Sequence, residues 1–224
     1  VWQHHYPKFN PRIRAQRYTS AGQKAGSEIE VVSLSDNGEQ PSAAALTDGG
    51  FVVTWVSRRN AGSPGTIYAR RYNAAGGPVG DKFVVQNQLT IDLSQPSITG
   101  LADGGFVAVW QQPAAIGYNV FGRRYSAAGV RSAAFRVNVL PARKAAPAIA
   151  GLASGGFVVA WRSDDDSGTG IFARRFPVAG NGGGIFRVNT TSWGNQTLPS
   201  VTAFSNGGFL VAWTSRAQFG SSGL

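Results

Sequence analysis

The chain has 224 residues and a formal net charge of +10, from 21 Lys and Arg against 11 Asp and Glu. It contains 30 glycines and 11% aromatic residues but no cysteine, which excludes disulfide bonds and thiolate metal sites. No apolar run reaches the roughly 18 residues that a membrane-spanning helix needs, so we predict no membrane span.

The first predicted elements in chain order are two short strands within residues 1–40, IRAQRY from Ile13 and EIEVVS from Glu28. From residue 41 the chain begins a pattern of four strand-length segments. In residues 41–95 these are PSAAAL, GGFVVTW, IYARRY and KFVVQN, which we name strands A, B, C and D. Because C and D match the two earlier segments, residues 1–40 are interpreted as the second half of a unit.

The four segments return in residues 96–146 and 147–198, and A and B return once more in residues 199–224. Each B segment ends in a tryptophan, and these are Trp55, Trp110, Trp161 and Trp213. They lie 55, 51 and 52 residues apart. We expect the chain to be a cut through a longer array, with closure of a four-unit ring across the termini as the alternative.

A period near 52 residues with four short strands per unit is typical of a β-propeller. Asp-Gly or Asn-Gly between A and B supplies the positive φ that tight hairpins need, and no stretch keeps a helical period over three turns. We therefore predict one all-β repeat domain over residues 1–224, a β-propeller-like array of four four-stranded blades, complete or part of a larger propeller. A β-solenoid is the alternative.

Residues that recur in every unit are predicted to hold the fold together. The B-strand tryptophans are expected to fill the core, and Trp2 has the same position one repeat earlier. The last arginine of each C segment is expected to hydrogen-bond a carbonyl or an acid between blades. These arginines are Arg17, Arg71, Arg124 and Arg175. Arginines that ring an anion on the central axis are the alternative.

The repeat resembles a family at three places: Pro96 to Trp110, Ile171 to Phe176, and Phe186 to Thr191 with Asn195-Gln196 following. It is similar to the repeats of about 50 residues in very large secreted bacterial proteins of the hemolysin-type calcium-binding or adhesin-like kind. The resemblance implies a secreted or cell-surface bacterial location and an adhesion or scaffold role. Such proteins are generally acidic, so the basic character of this chain points to an anionic partner.

Function is expected where the repeats differ, in loops carried on the repeated scaffold. Trp193 could stack on a sugar while Asn195 and Gln196 bond its hydroxyls, and Tyr118 in a B–C loop could do the same. Arg58 and Arg59 occupy another B–C loop and are basic candidates for a ligand site. For the aromatic residues, packing over a blade edge is the alternative.

A calcium site is possible in the B–C loop of residues 162–168, where Asp164, Asp165 and Asp166 are adjacent. Carboxylate oxygens at this density are ligands that calcium accepts, although the spacing is not that of an EF-hand. A solvated acidic turn is the alternative. The corresponding loops of the two preceding units carry either no acid or two arginines, so calcium is not expected in every repeat.

The sequence predicts a non-enzymatic binding or adhesion module that recognises a glycan, an anionic surface polymer or a protein through its loops. It has no nucleophile motif, phosphate loop or third histidine, so we predict no enzymatic activity. Nucleic acid is not an expected partner, because the basic residues are scattered along the chain. A structural scaffold without a small ligand is the first alternative, and a glycan-cleaving propeller, based on an imperfect Asp-box pattern, is the second.

Overall fold

The computed structural model describes residues 1–6, 9–33, 37–60, 62–88, 90–139, 145–165, 167–179 and 181–216. Within these ranges the chain forms seventeen β-strands and no helix. The prediction of an all-β chain is therefore confirmed. The strands are arranged in four sheets, which we number I to IV in chain order.

Sheets I, II and III are antiparallel meanders in which neighbours in sequence are neighbours in space. Sheet I contains β1 (Trp2–Tyr6), β2 (Phe9–Ala15) and β3 (Ile29–Val32). Sheet II contains β4 (Gly38–Ala45), β5 (Phe51–Ser57), β6 (Thr66–Tyr72) and β7 (Pro78–Gln86). Sheet III contains β8 (Ser94–Gly100), β9 (Phe106–Pro113), β10 (Tyr118–Tyr125) and β11 (Phe135–Arg136). In sheets II and III the four strands are A, B, C and D of one unit.

Sheet IV joins one complete unit to the first half of the next. Its strands are β12 (Ala148–Gly151), β13 (Phe157–Asp165), β14 (Gly168–Phe176), β15 (Ile185–Arg187), β16 (Gly194–Ala203) and β17 (Phe209–Arg216). The join is a short parallel pairing of β14 with β16, at Gly168 with Gly194 and Thr169 with Asn195. Every other strand pair in the described structure is antiparallel.

The hairpin between A and B is a three-residue turn whose two glycines have different purposes. In sheet III the Leu101 N–H donates to the Gly105 carbonyl, and the Gly104 N–H donates to the Leu101 carbonyl. Gly104 has φ of +81°, a backbone conformation that a side chain disfavours. Gly105 is needed for space, because a Cβ there would lie 2.3 Å from the carbonyl oxygen of Tyr125. Asp103 closes the turn by accepting the Gly105 N–H at 3.0 Å.

Successive sheets are held together by aromatic residues from three strands. Phe106 and Tyr125 of sheet III stack with ring centroids 4.6 Å apart, and Phe83 from strand D of sheet II packs on both. The same trio occurs one unit later as Phe135, Phe157 and Phe176. Three buried core clusters thus contain side chains of two neighbouring sheets. In the fourth, Val201 and Val211 of the last unit pack against buried residues of the unit before it, within sheet IV.

The A strands of consecutive units lie beside one another. β4 contacts β8, β8 contacts β12, and β12 contacts β16. The approach is close, because a Cβ on Gly151 would lie 2.3 Å from the Gly100 carbonyl oxygen. In each unit the residue immediately before the proline of the A segment has a positive φ although it is not glycine. These residues are Gln40, Gln95, Ala146 and Leu198, with φ between 41° and 54°.

Candidate functional site

The repeated tryptophans differ in burial. Trp55, Trp110 and Trp161 are at most 2% exposed and lie in the clusters between sheets. Trp2 and Trp213 are 39% and 37% exposed, so the prediction that they are core residues like the other three is wrong. Both keep the repeat register in their strands, but neither belongs to a buried cluster.

Arginines of the C segments make hydrogen bonds between units. The last arginine reaches the C–D turn of the following unit: Arg17 donates to the Ala74 carbonyl, and Arg71 donates to the Ala127 carbonyl at 2.8 Å. Arg124 likewise donates to the Val178 carbonyl. Arg175, the fourth predicted member, is exposed. These contacts tie the sheets together, and the donors are not directed at a common anion.

Sequence reasoning missed the first arginine of the pair. Arg123 donates to the Val85 carbonyl and Arg174 to the Val137 carbonyl, in both cases on strand D of the preceding unit. Successive side chains of a strand point to opposite faces, so Arg123 and Arg124 join sheet III to sheet II and to sheet IV respectively. The repeated dipeptide was the signal that could have predicted this.

An acid in the A–B turn completes the cross-link in two units. Arg124 contacts Asp103 at 2.7 Å, and Arg71 contacts Asp48 at 3.3 Å. Partial burial raises the pKa of Asp103, but the hydrogen bond from Gly105 and the ion pair with Arg124 together lower it below its ordinary value. In the next unit Ser154 takes the place of the acid.

The lowered pKa predicts that Asp103 contributes stability above the unfolded-state pKa of about 4, which is lost as the pH falls through the lower folded-state value. The contribution should be below about 1 kcal/mol, because the pair is partly exposed. Asp103→Asn should remove this part of the acid dependence and keep the turn, since Asn206 accepts the Gly208 N–H in the same way at 3.0 Å. Urea unfolding of both proteins between pH 6 and pH 2.5 measures the difference, and superimposable pH profiles would contradict the assignment.

Arg58, a predicted ligand-binding residue, contacts charged and polar groups of the protein itself. It pairs with Asp92 and, at 3.3 Å, with Glu39, and it donates to the Ser63 carbonyl at 2.9 Å. Burial alone would lower the pKa of Arg58, but the two carboxylates raise it. Its charge is therefore neutralised within the protein, which corrects the expectation that it binds a ligand. Arg59, the next residue, is exposed.

The acidic B–C loop is partly used by internal contacts. Asp165 pairs with Arg187 and accepts the Ser167 N–H at 3.1 Å, and its side chain is only 5% exposed. Asp164 is exposed at the surface, and Asp166 lies outside the described residues. No group of three metal-ligating side chains is found in the described part of the chain. Calcium binding here stays an untested prediction.

The predicted sugar-binding residues separate into exposed and buried members. Trp193 is 76% exposed in the D–A loop, and Asn195 is exposed at the start of β16. Gln196 is 1% exposed: its amide donates to the Trp193 carbonyl at 3.1 Å and accepts the indole N–H of Trp213 at 3.0 Å. Gln196 therefore supports the loop and does not reach a ligand. Tyr118 is half-buried against the core between sheets III and IV.

An open cavity of about 680 Å³ lies beside Asn195, at the end of the sheets where the B–C and D–A connections are found. We call it the Arg162 cavity. It is lined by Gln95, Ala146, Arg162, Thr169, Asn195, Thr197, Leu198 and Arg216. Three of the positive-φ residues that precede an A-strand proline, Gln95, Ala146 and Leu198, belong to this lining.

The parallel pairing of β14 with β16 builds one wall of the Arg162 cavity. It places Thr169 beside Asn195, and the Thr169 hydroxyl donates to the Gln196 carbonyl at 2.9 Å. On another side the backbone N–H of Arg162 donates to the Ala145 carbonyl at 2.8 Å, which holds β13 next to Ala146. The cavity is therefore positioned by the β14–β16 pairing and by the backbone bond between Arg162 and Ala145.

The Arg162 cavity is basic. Burial lowers the pKa of Arg162, and the nearby carboxylate of Asp164 partly opposes this change. Arg216 contributes a second guanidinium, and no Asp or Glu belongs to the described lining. A poorly hydrated guanidinium keeps its charge and favours an anionic partner. A second cavity of about 600 Å³ is lined by Arg124 and Arg174, but the carbonyl contacts described above engage both arginines.

Comparisons with known proteins define the fold only. No family model and no curated protein matches the chain. It is similar to the crystal structure of a protein of unknown function from Dyadobacter fermentans DSM 18053, with a TM-score of 0.58 and 13% sequence identity. The similarity covers 96% of this chain, which spans 57% of the length of that structure. Among the described residues no helix is long and apolar enough to cross a membrane.

Proposed function

We propose that the chain is a β-propeller-like binding module that recognises a saccharide at the end of the sheets where Trp193 and the Arg162 cavity lie. The propeller arrangement is supported by the antiparallel quartets, which pack face to face with their A strands side by side. In a solenoid, consecutive coils would pair through long parallel ladders, whereas the parallel pairing here involves two residues of each strand. A secreted or cell-surface bacterial protein would use such a module for adhesion.

The exposed Trp193 is the observation that carries this proposal. A tryptophan that is 76% exposed loses hydrophobic stabilisation unless it covers another surface, and its flat ring fits the apolar face of a sugar. Asn195, two residues along the chain, lies in the cavity lining and offers an amide to sugar hydroxyls. Few polar groups beside an aromatic surface are typical of small-ligand sites.

Trp193→Ala is expected to weaken saccharide binding about three- to tenfold, the loss that one aromatic contact typically causes. A glycan array followed by isothermal titration of the best ligand measures the effect. Ile116→Ala is the matched control, because Ile116 is 80% exposed in a B–C loop of sheet III and is not part of the cavity lining. An equal loss in both variants, or an array without any bound glycan, would reject the proposal and favour a structural scaffold.

A glycan-cleaving activity has less support. Most glycosidases use two carboxyl groups on either side of the scissile bond. The described lining of the Arg162 cavity has none, and Asp165 in the adjacent loop is paired with Arg187. Binding without cleavage is the function that this arrangement of side chains favours.

A further inference from the structure

We infer that the Arg162 cavity binds the carboxylate of an acidic saccharide, with Arg162 and Arg216 contacting the carboxylate. This inference rests on the proposed function, for which it names the ligand class. The two guanidinium groups lie in one cavity lined by no acid among the described residues, and Asp164, which interacts with Arg162, is not in the lining. Arginine forms paired hydrogen bonds with carboxylates, so two arginines give the cavity a strong preference for such a group.

The rest of the lining matches the hydroxyl groups of a sugar better than a small inorganic anion. Asn195 and Gln95 are exposed and carry both donors and acceptors in their amides. The hydroxyl of Thr197 can donate or accept, and the hydroxyl of Thr169, which donates to the Gln196 carbonyl, can accept. A volume of about 680 Å³ is that of a small-molecule site and far exceeds the space that one phosphate or sulfate needs.

A comparison between repeats explains why the cavity is open at this place. Gln40, Gln95 and Ala146 hold equivalent positive-φ positions before the A-strand prolines. The Gln40 side chain crosses to the next unit, where its amide oxygen accepts the Gln95 N–H at 2.6 Å. Ala146 has only a methyl group and cannot cross in this way. The small side chain at residue 146 therefore keeps space open between Gln95 and Leu198, where the equivalent glutamine would enter.

The test is isothermal titration with an oligogalacturonate and with a neutral galactose oligomer of the same length. We expect the acidic oligomer to bind at least about tenfold more tightly, and Arg216→Gln to remove most of this preference. Arg162→Gln should have the same effect. Arg59→Gln is the matched control, because it removes the same charge from an exposed side chain outside the cavity lining. An equal loss in Arg59→Gln and Arg216→Gln would attribute binding to net charge and overturn the inference.

A second variant tests the cavity without changing its charge. Ala146→Gln should fold normally, because glutamine already occupies the same backbone conformation at residues 40 and 95. Because the longer side chain fills the space, the affinity for the acidic oligomer should fall about tenfold or more. Unchanged binding in this variant would overturn the inference, as would inorganic phosphate that competes as well as the oligomer does.

The two proposals can fail separately. If acidic and neutral oligomers bind equally and both depend on Trp193, the saccharide module stands and the carboxylate site is rejected. If neither oligomer nor any arrayed glycan binds, both proposals are rejected.

Discussion

Trp110→Ala is expected to destabilise the protein by about 3–5 kcal/mol, the loss typical of removing a fully buried large aromatic side chain. Trp110 is 1% exposed and lies in the cluster shared by sheets II and III, with its ring 6.3 Å from that of Phe121. Neighbouring strands hold the surrounding backbone, so the cavity left by the substitution is expected to collapse only in part. Urea unfolding followed by circular dichroism measures the free energy of unfolding without depending on tryptophan fluorescence.

Two other tryptophans provide the controls for this prediction. Trp193→Ala should change the free energy of unfolding by less than about 0.5 kcal/mol, because the ring is 76% exposed. Trp213→Ala should lie between the two, since its ring is 37% exposed and its indole N–H bonds Gln196. If Trp110→Ala and Trp193→Ala had equal effects, the buried clusters between sheets would not be the main source of stability.

Trp110→Phe should cost less than Trp110→Ala. The indole N–H of Trp110 is buried and has no hydrogen-bond partner among the described residues, so phenylalanine loses volume but no polar contact. This ranking separates a packing role from a polar one.

The strand content could be predicted from the sequence because its determinants are local. The Gly-Gly-Phe turn fixes where A ends and B begins, and alternation along each strand assigns apolar side chains to the two faces. The observed meanders in sheets II and III follow the predicted order A, B, C, D. The predicted start of strand A at Pro41 is less accurate, since β4 begins at Gly38 and passes through the positive-φ residue Gln40.

The candidate site could be predicted only in part, because it depends on residues that are far apart in the sequence. The sequence predicts Trp193 and Asn195 as candidate sugar-binding residues of a loop. Arg162 is not among the predicted residues, since a loop rich in aspartate drew attention to its acids. Arg58 was misinterpreted because its partners Glu39 and Asp92 lie 19 and 34 residues away. Whether a loop arginine is held by acids distant in sequence, as Arg58 is, or lines an open cavity next to an acid of its own loop, as Arg162 does, is decided by the packing of the units. The local sequence does not contain this information.

Gly105→Ala is the second substitution with a large expected effect, at the upper end of the roughly 1–3 kcal/mol typical of overpacking, or beyond it. A Cβ on Gly105 would lie 2.3 Å from the Tyr125 carbonyl oxygen, which is backbone and cannot rotate away. Relief requires β9 and β10 to separate where Phe106 stacks on Tyr125, and this would disturb the contact with Phe83 of sheet II. The variant should therefore weaken the pairing of β9 with β10 and part of the packing between sheets II and III.

Two glycines calibrate the measurement of the Gly105 effect by urea unfolding. Gly184→Ala should be neutral or slightly stabilising, because no atom lies within 4 Å of the position that the added methyl group would take, and its φ is not in the positive range. Gly104→Ala should cost about 1–2 kcal/mol through its φ of +81°. A Gly105→Ala effect as small as that of Gly184→Ala would mean that the two strands separate at little cost. The close approach of the A–B turn to the end of strand C would then not be needed to hold Phe106 and Tyr125 against Phe83.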